Sequence, residues 1–208
     1  MLIVGCSGHA KETLDVLLSN DFSEEIVFFD NVTKNLPKLL YQKYRILTSF
    51  EEASEYFKTD NSFILGIGGV KIRAILFQKF IEIGGRSVCL IPKTAYISSN
   101  EVVIEEGVCL MHGVFISAET KIGKGTLLNH GVKIHHNTQI GSFCEIQPGA
   151  VITGNCTVGN NVTIGSGAIL IPNITIGNNV TIGAGAVVIK NVPENVTIVG
   201  VPAKIVSS

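Results

Sequence analysis

From Ile104 onward the chain sets an aliphatic residue at every sixth position: Leu110, Ile116, Ile122, Leu128, Ile134, Ile140, Ile146, Ile152, Val158, Ile164, Leu170, Ile176, Ile182 and Val188. All of them are Ile, Leu or Val, types that make up about 31% of the residues, so the run has a chance probability on the order of 10⁻⁸. Four residues after each aliphatic comes a small or β-branched side chain, from Val108, Val114 and Thr120 through Cys144 and Ala150 to Val192. Glycine often follows directly, as at Gly123, Gly141, Gly159, Gly165, Gly177 and Gly183. A period of six suits neither the 3.6 of a helix nor the alternation of a hairpin. It predicts a parallel β-helix in which each hexapeptide is one short strand plus a turn. Three hexapeptides make one triangular coil, so residues 18 apart stack in a column. Ile104 to Val188 makes just under five coils, a prism about 24 Å tall at the strand spacing of about 4.8 Å. The period is never interrupted, so any reactive group must stand on the wall or the corners.

Residues 1–91 carry a different pattern. Leu2–Val4 reads as a short apolar strand, followed by the turn Gly5-Cys6-Ser7-Gly8-His9 and a helix over Ala10–Leu18. Ile26–Phe29 is a second strand ending at Asp30. Phe63–Ile67 is a third, leading through Gly68-Gly69 into a helix over Lys71–Ile83, and Val88–Ile91 is a fourth. Strand, glycine turn, helix and strand describe a small open α/β unit with a Rossmann-like start. Pro92 marks the crossing into the prism, giving an α/β domain over 1–91 and a β-helix with a C-terminal tail over 92–208.

Composition narrows the partners. Sixteen basic and 17 acidic side chains leave a net charge of −1, with no Lys or Arg run, which argues against a nucleic-acid groove or an anionic membrane face. No stretch approaches the roughly 18 apolar residues of a membrane span, and the opening apolar run is too short for a signal peptide, so the expected location is the cytoplasm. Five cysteines without CxxC spacing argue against a disulfide framework and a thiolate zinc site. Six N-x-T triplets begin at Asn31, Asn155, Asn161, Asn173, Asn179 and Asn195; four fall at fixed places in the repeat, which reads as Asn in turns and Thr on strands.

The turn after the first strand exposes backbone N–H groups where a helix dipole favours an anion. Asp30, 22 residues after Gly8, is placed to accept hydrogen bonds from a ribose or a base. Two glycines rather than the three of the dinucleotide fingerprint favour a mononucleotide, such as the UDP of a sugar nucleotide, over NAD; a turn that merely caps its helix is the alternative. Four of the five histidines lie in the repeat. His112 and His130 share a column. His136 lies one corner further round, with Gly154 above it, which leaves room for a substrate and a free N–H beside a general base. A solvated corner histidine is the plainer reading. Stacked histidines also suit zinc, and His130 and His135 have a spacing found in γ-class carbonic anhydrases, but the third ligand would fall at Thr94, so no metal is expected.

Several segments together resemble the sugar O- and N-acyltransferases of the sialic acid O-acetyltransferase and bacillosamine-type UDP-amino-sugar N-acetyltransferase group. They are Gly5-Cys6-Ser7-Gly8-His9-Ala10, Phe29-Asp30, Ile67-Gly68, Leu90-Ile91-Pro92-Lys93-Thr94-Ala95, Ile134-His135-His136, Ile140-Gly141-Ser142-Phe143 and Gly200-Val201-Pro202-Ala203-Lys204. The resemblance covers essentially the whole chain. It implies left-handed coils, a homotrimer with an acetyl-CoA groove between neighbouring prisms, and a nucleotide sugar held by the N-terminal domain. His136 falls at the family's catalytic base. Glu145, Gly154, Ser166 and Ala184 match positions along the acetyl-CoA groove, and Ser7, Gly8, His9, Asp30, Asn31 and Gly68 match positions touching the nucleotide sugar.

The chain departs from the family at Asn137, where an acid usually follows the catalytic histidine, and at Glu145, where a second histidine is common. A neutral amide orients an imidazole but carries no charge to stabilise the imidazolium. Glu145 from a neighbouring subunit could stand in for the missing acid. Gly69-Val70 also replaces polar residues common after Ile-Gly. The expected activity is acetyl-CoA-dependent N-acetylation of a UDP-linked 4-amino-dideoxy sugar for a bacterial surface glycan or glycoprotein, because a neutral amine needs less help than a hydroxyl. O-acetylation of a sialic-type sugar and a non-catalytic scaffold are the alternatives.

Overall fold

The computed structural model describes residues 1–207. The N-terminal part is built from β1 (Leu2–Val4), α1 (Gly8–Ser19), β2 (Val27–Phe29), β3 (Leu39–Leu40), β4 (Tyr44–Leu47), α2 (Phe50–Tyr56), β5 (Ser62–Leu65), α3 (Val70–Glu82) and β6 (Arg86–Ser87). The sheet order is β3-β4-β2-β1-β5-β6, parallel except for the β3–β4 pair. β1, at the centre, is buried on both faces. Ile3 packs with Ala10 and Leu14 of α1; Leu2 and Val4 face a phenylalanine cluster of Phe29, Phe63, Phe77 and Phe80. Because β1 pairs with β2 on one side and β5 on the other, a crevice opens beyond its C-terminal end, where open α/β sheets bind ligands.

From Tyr96 the chain winds into a prism of two-residue parallel strands, stacked in three sheets with successive rungs 18 residues apart except at the first and last coils. The second residue of each strand points inward, so Leu110, Leu128, Ile146, Ile164 and Ile182 line one side of a dry interior. Chain turning requires a positive φ at each corner, and the three corners meet that need differently. One column is glycine throughout: Gly113, Gly131, Gly149, Gly167 and Gly185. A second runs Gly107, Gly125, Phe143, Asn161, Asn179 and Asn195. The third runs Glu101, Glu119, Asn137, Asn155 and Asn173. Asparagine tolerates this region better than other side-chain-bearing residues. Five of the six N-x-T triplets are therefore corners, one more than the repeat alone indicated, and each Thr opens the following strand.

The two parts share their cores. The outward residues Cys109 and Leu127 on one prism side are buried with Ile3, Leu14 and Ile64 of the α/β part, while the equivalent outward positions on other sides are Lys121, Lys133 and Gln139. Arg73 of α3 is wholly buried without an acidic partner; its guanidinium donates to the Leu65 and Ile67 carbonyls at 3.1 and 2.6 Å and to Gly125 of the prism at 3.2 and 3.0 Å. The last coil is two residues short: Ile176 bridges to Val192 and Thr181 pairs with Thr197. The strand Lys204–Ser207 then runs antiparallel along Thr197–Val199, and the intervening Gly200 and Ala203 bond to Val187.

Candidate active site

The crevice beyond β1 encloses about 410 Å³. Val4, Phe29, Ile67 and Leu76 form apolar walls; Ser7, His9, Asp30, Asn31 and Gly68 supply polar groups. Gly5 is required at its mouth, because at φ +115° a Cβ would sit 2.7 Å from the Gly66 carbonyl. Gly8 opens α1 with open space where a Cβ would stand. Asp30 is committed to its own loop: its carboxylate accepts from the Val32 and Thr33 N–H groups and from the Thr33 hydroxyl at 2.7–3.0 Å. Burial alone would raise its carboxyl, but these bonds outweigh burial and hold it below the usual carboxylate range. His9 Nδ1 lies 3.2 Å from Glu12, while its Nε2 is buried without a partner. Burial lowers the imidazole's affinity for a proton, against the opposing pull of Glu12.

Glu145 reaches the crevice from beneath. Its carboxylate accepts from the Gly69 N–H at the start of α3 at 2.6 Å and from Gln147 at 2.8 Å. A Cβ on Gly68 would lie 2.7 Å from it, so the glycine is what admits the acid. A carboxylate at a helix N-terminus is favoured by the peptide dipoles. Glu145 is thus engaged within its own chain.

His136 stands exposed on a prism corner, its Nδ1 2.8 Å from the Asn137 amide oxygen. Gly154 covers the ring so closely that a Cβ there would fall 2.5 Å from Cε1 and 2.7 Å from Nε2. The space that the missing side chain frees is filled by the imidazole itself. Ser166 and Ala184 are exposed and stack one coil apart, in the column of His112 and His130. The Thr94 hydroxyl lies 2.8 Å from His112 Nδ1. No group of three or more His, Cys, Asp or Glu placed to hold a metal occurs among the described residues. Burial raises the thiols of Cys6 and Cys89, and pushes Cys144 up to about 12.

The structure gathers Ser7, His9, Asp30, Asn31 and Gly68 at the crevice, with Glu145 bonded to Gly69 next to it, and His136, Asn137 and Gly154 at one corner. It does not bring these groups together. The α/β part packs on the side that carries Cys109, Leu127 and Glu145, whereas His136 lies between the strands Lys133–Ile134 and Gln139–Ile140 of the other two sides, at the opposite vertex. Ser166 and Ala184 occupy another vertex again. Sequence reasoning missed Glu12, Arg73, Gln147 and Glu119, whose Oε2 accepts from Asn137. The 18-residue stacking that pairs His136 with Gly154 also pairs Asn137 with Glu119.

An α/β crevice joined to a six-residue-repeat prism defines a two-part hexapeptide transferase, and the comparisons agree. Residues 1–80 match the PglD N-terminal domain, and residues 119–154 and 155–190 match the bacterial transferase hexapeptide (six repeats). No curated protein matches the chain significantly. PerB from Caulobacter crescentus, solved with CoA and GDP-perosamine, is 30% identical over 99% of this chain and 96% of its own, with a TM-score of 0.87. A mutant perosamine N-acetyltransferase from the same organism, also with CoA and GDP-perosamine, is 28% identical over 100% of this chain and 96% of its own, with a TM-score of 0.90. The acetyltransferase domain of PglB from Neisseria gonorrhoeae, with acetyl coenzyme A, is 25% identical over 99% of this chain and 98% of its own, also with a TM-score of 0.90. The chain belongs to the hexapeptide-repeat sugar acyltransferase family. Its fold is an α/β domain followed by a left-handed parallel β-helix.

Proposed function

We propose that the chain transfers the acetyl group of acetyl-CoA to the amino group of a UDP-linked 4-amino-dideoxy sugar, in the cytoplasm, for a bacterial surface glycan or glycoprotein. The observation that carries this reading is the likeness, end to end, to perosamine N-acetyltransferases solved with CoA and a nucleotide sugar. The crevice supports it, with apolar walls for a base and sugar and an unpartnered His9 Nε2 to meet a ligand hydroxyl. Ser7, Gly8, His9, Asp30, Asn31 and Gly68 hold the nucleotide sugar, and Gly154, Ser166 and Ala184 line the path of acetyl-CoA; Glu145, which the resemblance sets on that path, is buried against Gly69 instead.

In the reaction the neutral amine attacks the thioester carbon, and a C–N bond forms as the C–S bond breaks. His136 Nε2 takes the amine's proton and returns it to the departing thiolate, leaving an amide and free CoA thiol. The Gly154 N–H faces the thioester oxygen or the pantetheine arm. The separation of crevice and imidazole within one chain supports a homotrimer in which one subunit's crevice meets another's His136.

The test mixes the protein with acetyl-CoA and either a UDP- or a GDP-4-amino-4,6-dideoxy sugar and follows free CoA thiol. Release with the UDP sugar, reduced about 10²–10⁴-fold in His136→Ala, is the expected result. Release with the GDP sugar alone would overturn UDP as the carrier. Equal rates in both proteins would overturn His136 as the base, and no release with either sugar would sink N-acetylation.

A further inference from the structure

One coil below Asn137, at the same left-handed corner position, stands Glu119, with φ +56° at both residues. Its Oε2 accepts a hydrogen bond from Asn137 Nδ2 at 2.5 Å, and Asn137 Oδ1 faces His136 Nδ1 at 2.8 Å. Charge fixes the direction of this chain of bonds. An ionised carboxylate has no proton to give, so Asn137 must turn its amino group toward Glu119. Its amide oxygen then faces the ring and can only accept, so Nδ1 must carry the hydrogen and Nε2 is left bare. The orientation follows from the chemistry of the ends, whichever way the amide is drawn.

We propose that Glu119 is a positioning residue for acyl transfer: acting through Asn137, it holds His136 in the tautomer whose Nε2 accepts the substrate's proton. The inference rests on His136 being the base. Glu119 does a second thing. Its charge polarises the Asn137 amide, drawing positive character onto Nδ2 and leaving more negative charge on Oδ1, beside the ring that becomes cationic during transfer. An acid absent from position 137 is thereby supplied at one remove from within the same chain, while Glu145 stays bonded to Gly69 and Gln147. Without Glu119 the amide is free to turn over, donate to Nδ1 and force the hydrogen onto Nε2, which then cannot act as a base. The columns of this corner hold Glu101, Glu119, His135 and His136 as titratable groups, and the flanking strands add Lys121 and Lys133. Lys121 is paired with Glu105 at 2.8 Å.

The experiment reads the tautomer and the turnover separately on the full chain. Imidazole ¹⁵N shifts report which nitrogen of His136 carries hydrogen, in the native protein and in Glu119→Ala; thiol release with acetyl-CoA and the UDP-4-amino sugar gives kcat and KM. Native Glu119 and Glu119→Ala are also compared in an Asn137→Asp background, where a carboxylate already faces Nδ1. The expected result is an Nδ1–H tautomer in the native protein and a mixed or reversed one in Glu119→Ala. Alongside it, kcat falls by about 10- to 100-fold with KM for acetyl-CoA unchanged. In the Asn137→Asp background, removal of Glu119 leaves kcat unchanged or raises it, because two carboxylates no longer confront each other. An unchanged tautomer in Glu119→Ala, or equal losses in both backgrounds, overturns the proposal. A changed tautomer with undiminished kcat instead overturns His136 as the base while bearing out the contact, so the two readings fail separately.

Discussion

At His9, burial and the ligand recognition proposed for it act in the same direction. Loss of solvation holds the imidazole below the 6.5 of a free ring, with the Glu12 bond opposing, so the folded protein keeps it neutral, with Nε2 ready to accept. The folded ring takes up a proton only below its own depressed value, which lies under 6.5, so folding loses nothing to it above 6.5 and binding weakens only further into acid. Calorimetric affinity for UDP-N-acetylglucosamine should therefore be level between pH 8 and 7. In acid it should fall toward about tenfold per pH unit, with the slope absent in His9→Ala. A slope that persists in the variant would assign the proton elsewhere.

At the scale of the repeating element, the corner residue matters more than the strand. A two-residue strand contributes few ladder bonds, so the turn geometry must already be right in the residue that makes it. Asn173, at φ +66°, has a side chain with no hydrogen bond among the described residues and isolates that backbone effect. Asn173→Ala should cost roughly 1 kcal/mol, lowering Tm by about 2–4 °C, while Asn173→Gly should cost little or nothing. A calorimetric scan showing equal Tm for both would remove the argument. The same regularity explains what could be read beforehand. The prism was legible because one aliphatic per hexapeptide leaves no other period to fit. β3, β4 and α2 were not, because strands of two and four residues between Leu39 and Leu47 and a seven-residue helix offer too few positions for any period to show. Of the candidate site, the glycine turn, Asp30 and the His136 corner were singled out by turn and corner chemistry, whereas Asn31 and Gly68 came from the family resemblance. The contacts of Glu119, Glu145 and Arg73 join positions that only the folded chain brings together, and a buried arginine bonded to carbonyls leaves no paired acid in the sequence to betray it.

For the whole molecule, the opposed placement of crevice and His136 makes a prediction about subunits. If each site takes its crevice from one chain and its base from another, a variant weakened in the crevice and one lacking the base should rescue each other at a nucleotide-sugar concentration too low for His9→Ala to bind. Co-refolding His9→Ala with His136→Ala in equal amounts should restore about a quarter of the native sites, since a site then needs two independent even chances. Activity that stays at the level of the separate variants would mean that each chain works alone.

The upper end of the prism is covered by the chain that builds it. At the lower end Leu90 lies beneath Cys109 on one side only, and Tyr96–Ile97 and Val103–Ile104 are the outermost rungs of the other two; at the upper end the shortened coil and the strand Lys204–Ser207 occupy hydrogen-bonding groups that a further rung would use. A helix of identical rungs is otherwise a seed for its own polymerisation, since each end offers the next molecule the template that the last rung offered its own. The irregular upper end is therefore a stopper against growth of that kind, one rung on the next, in that direction.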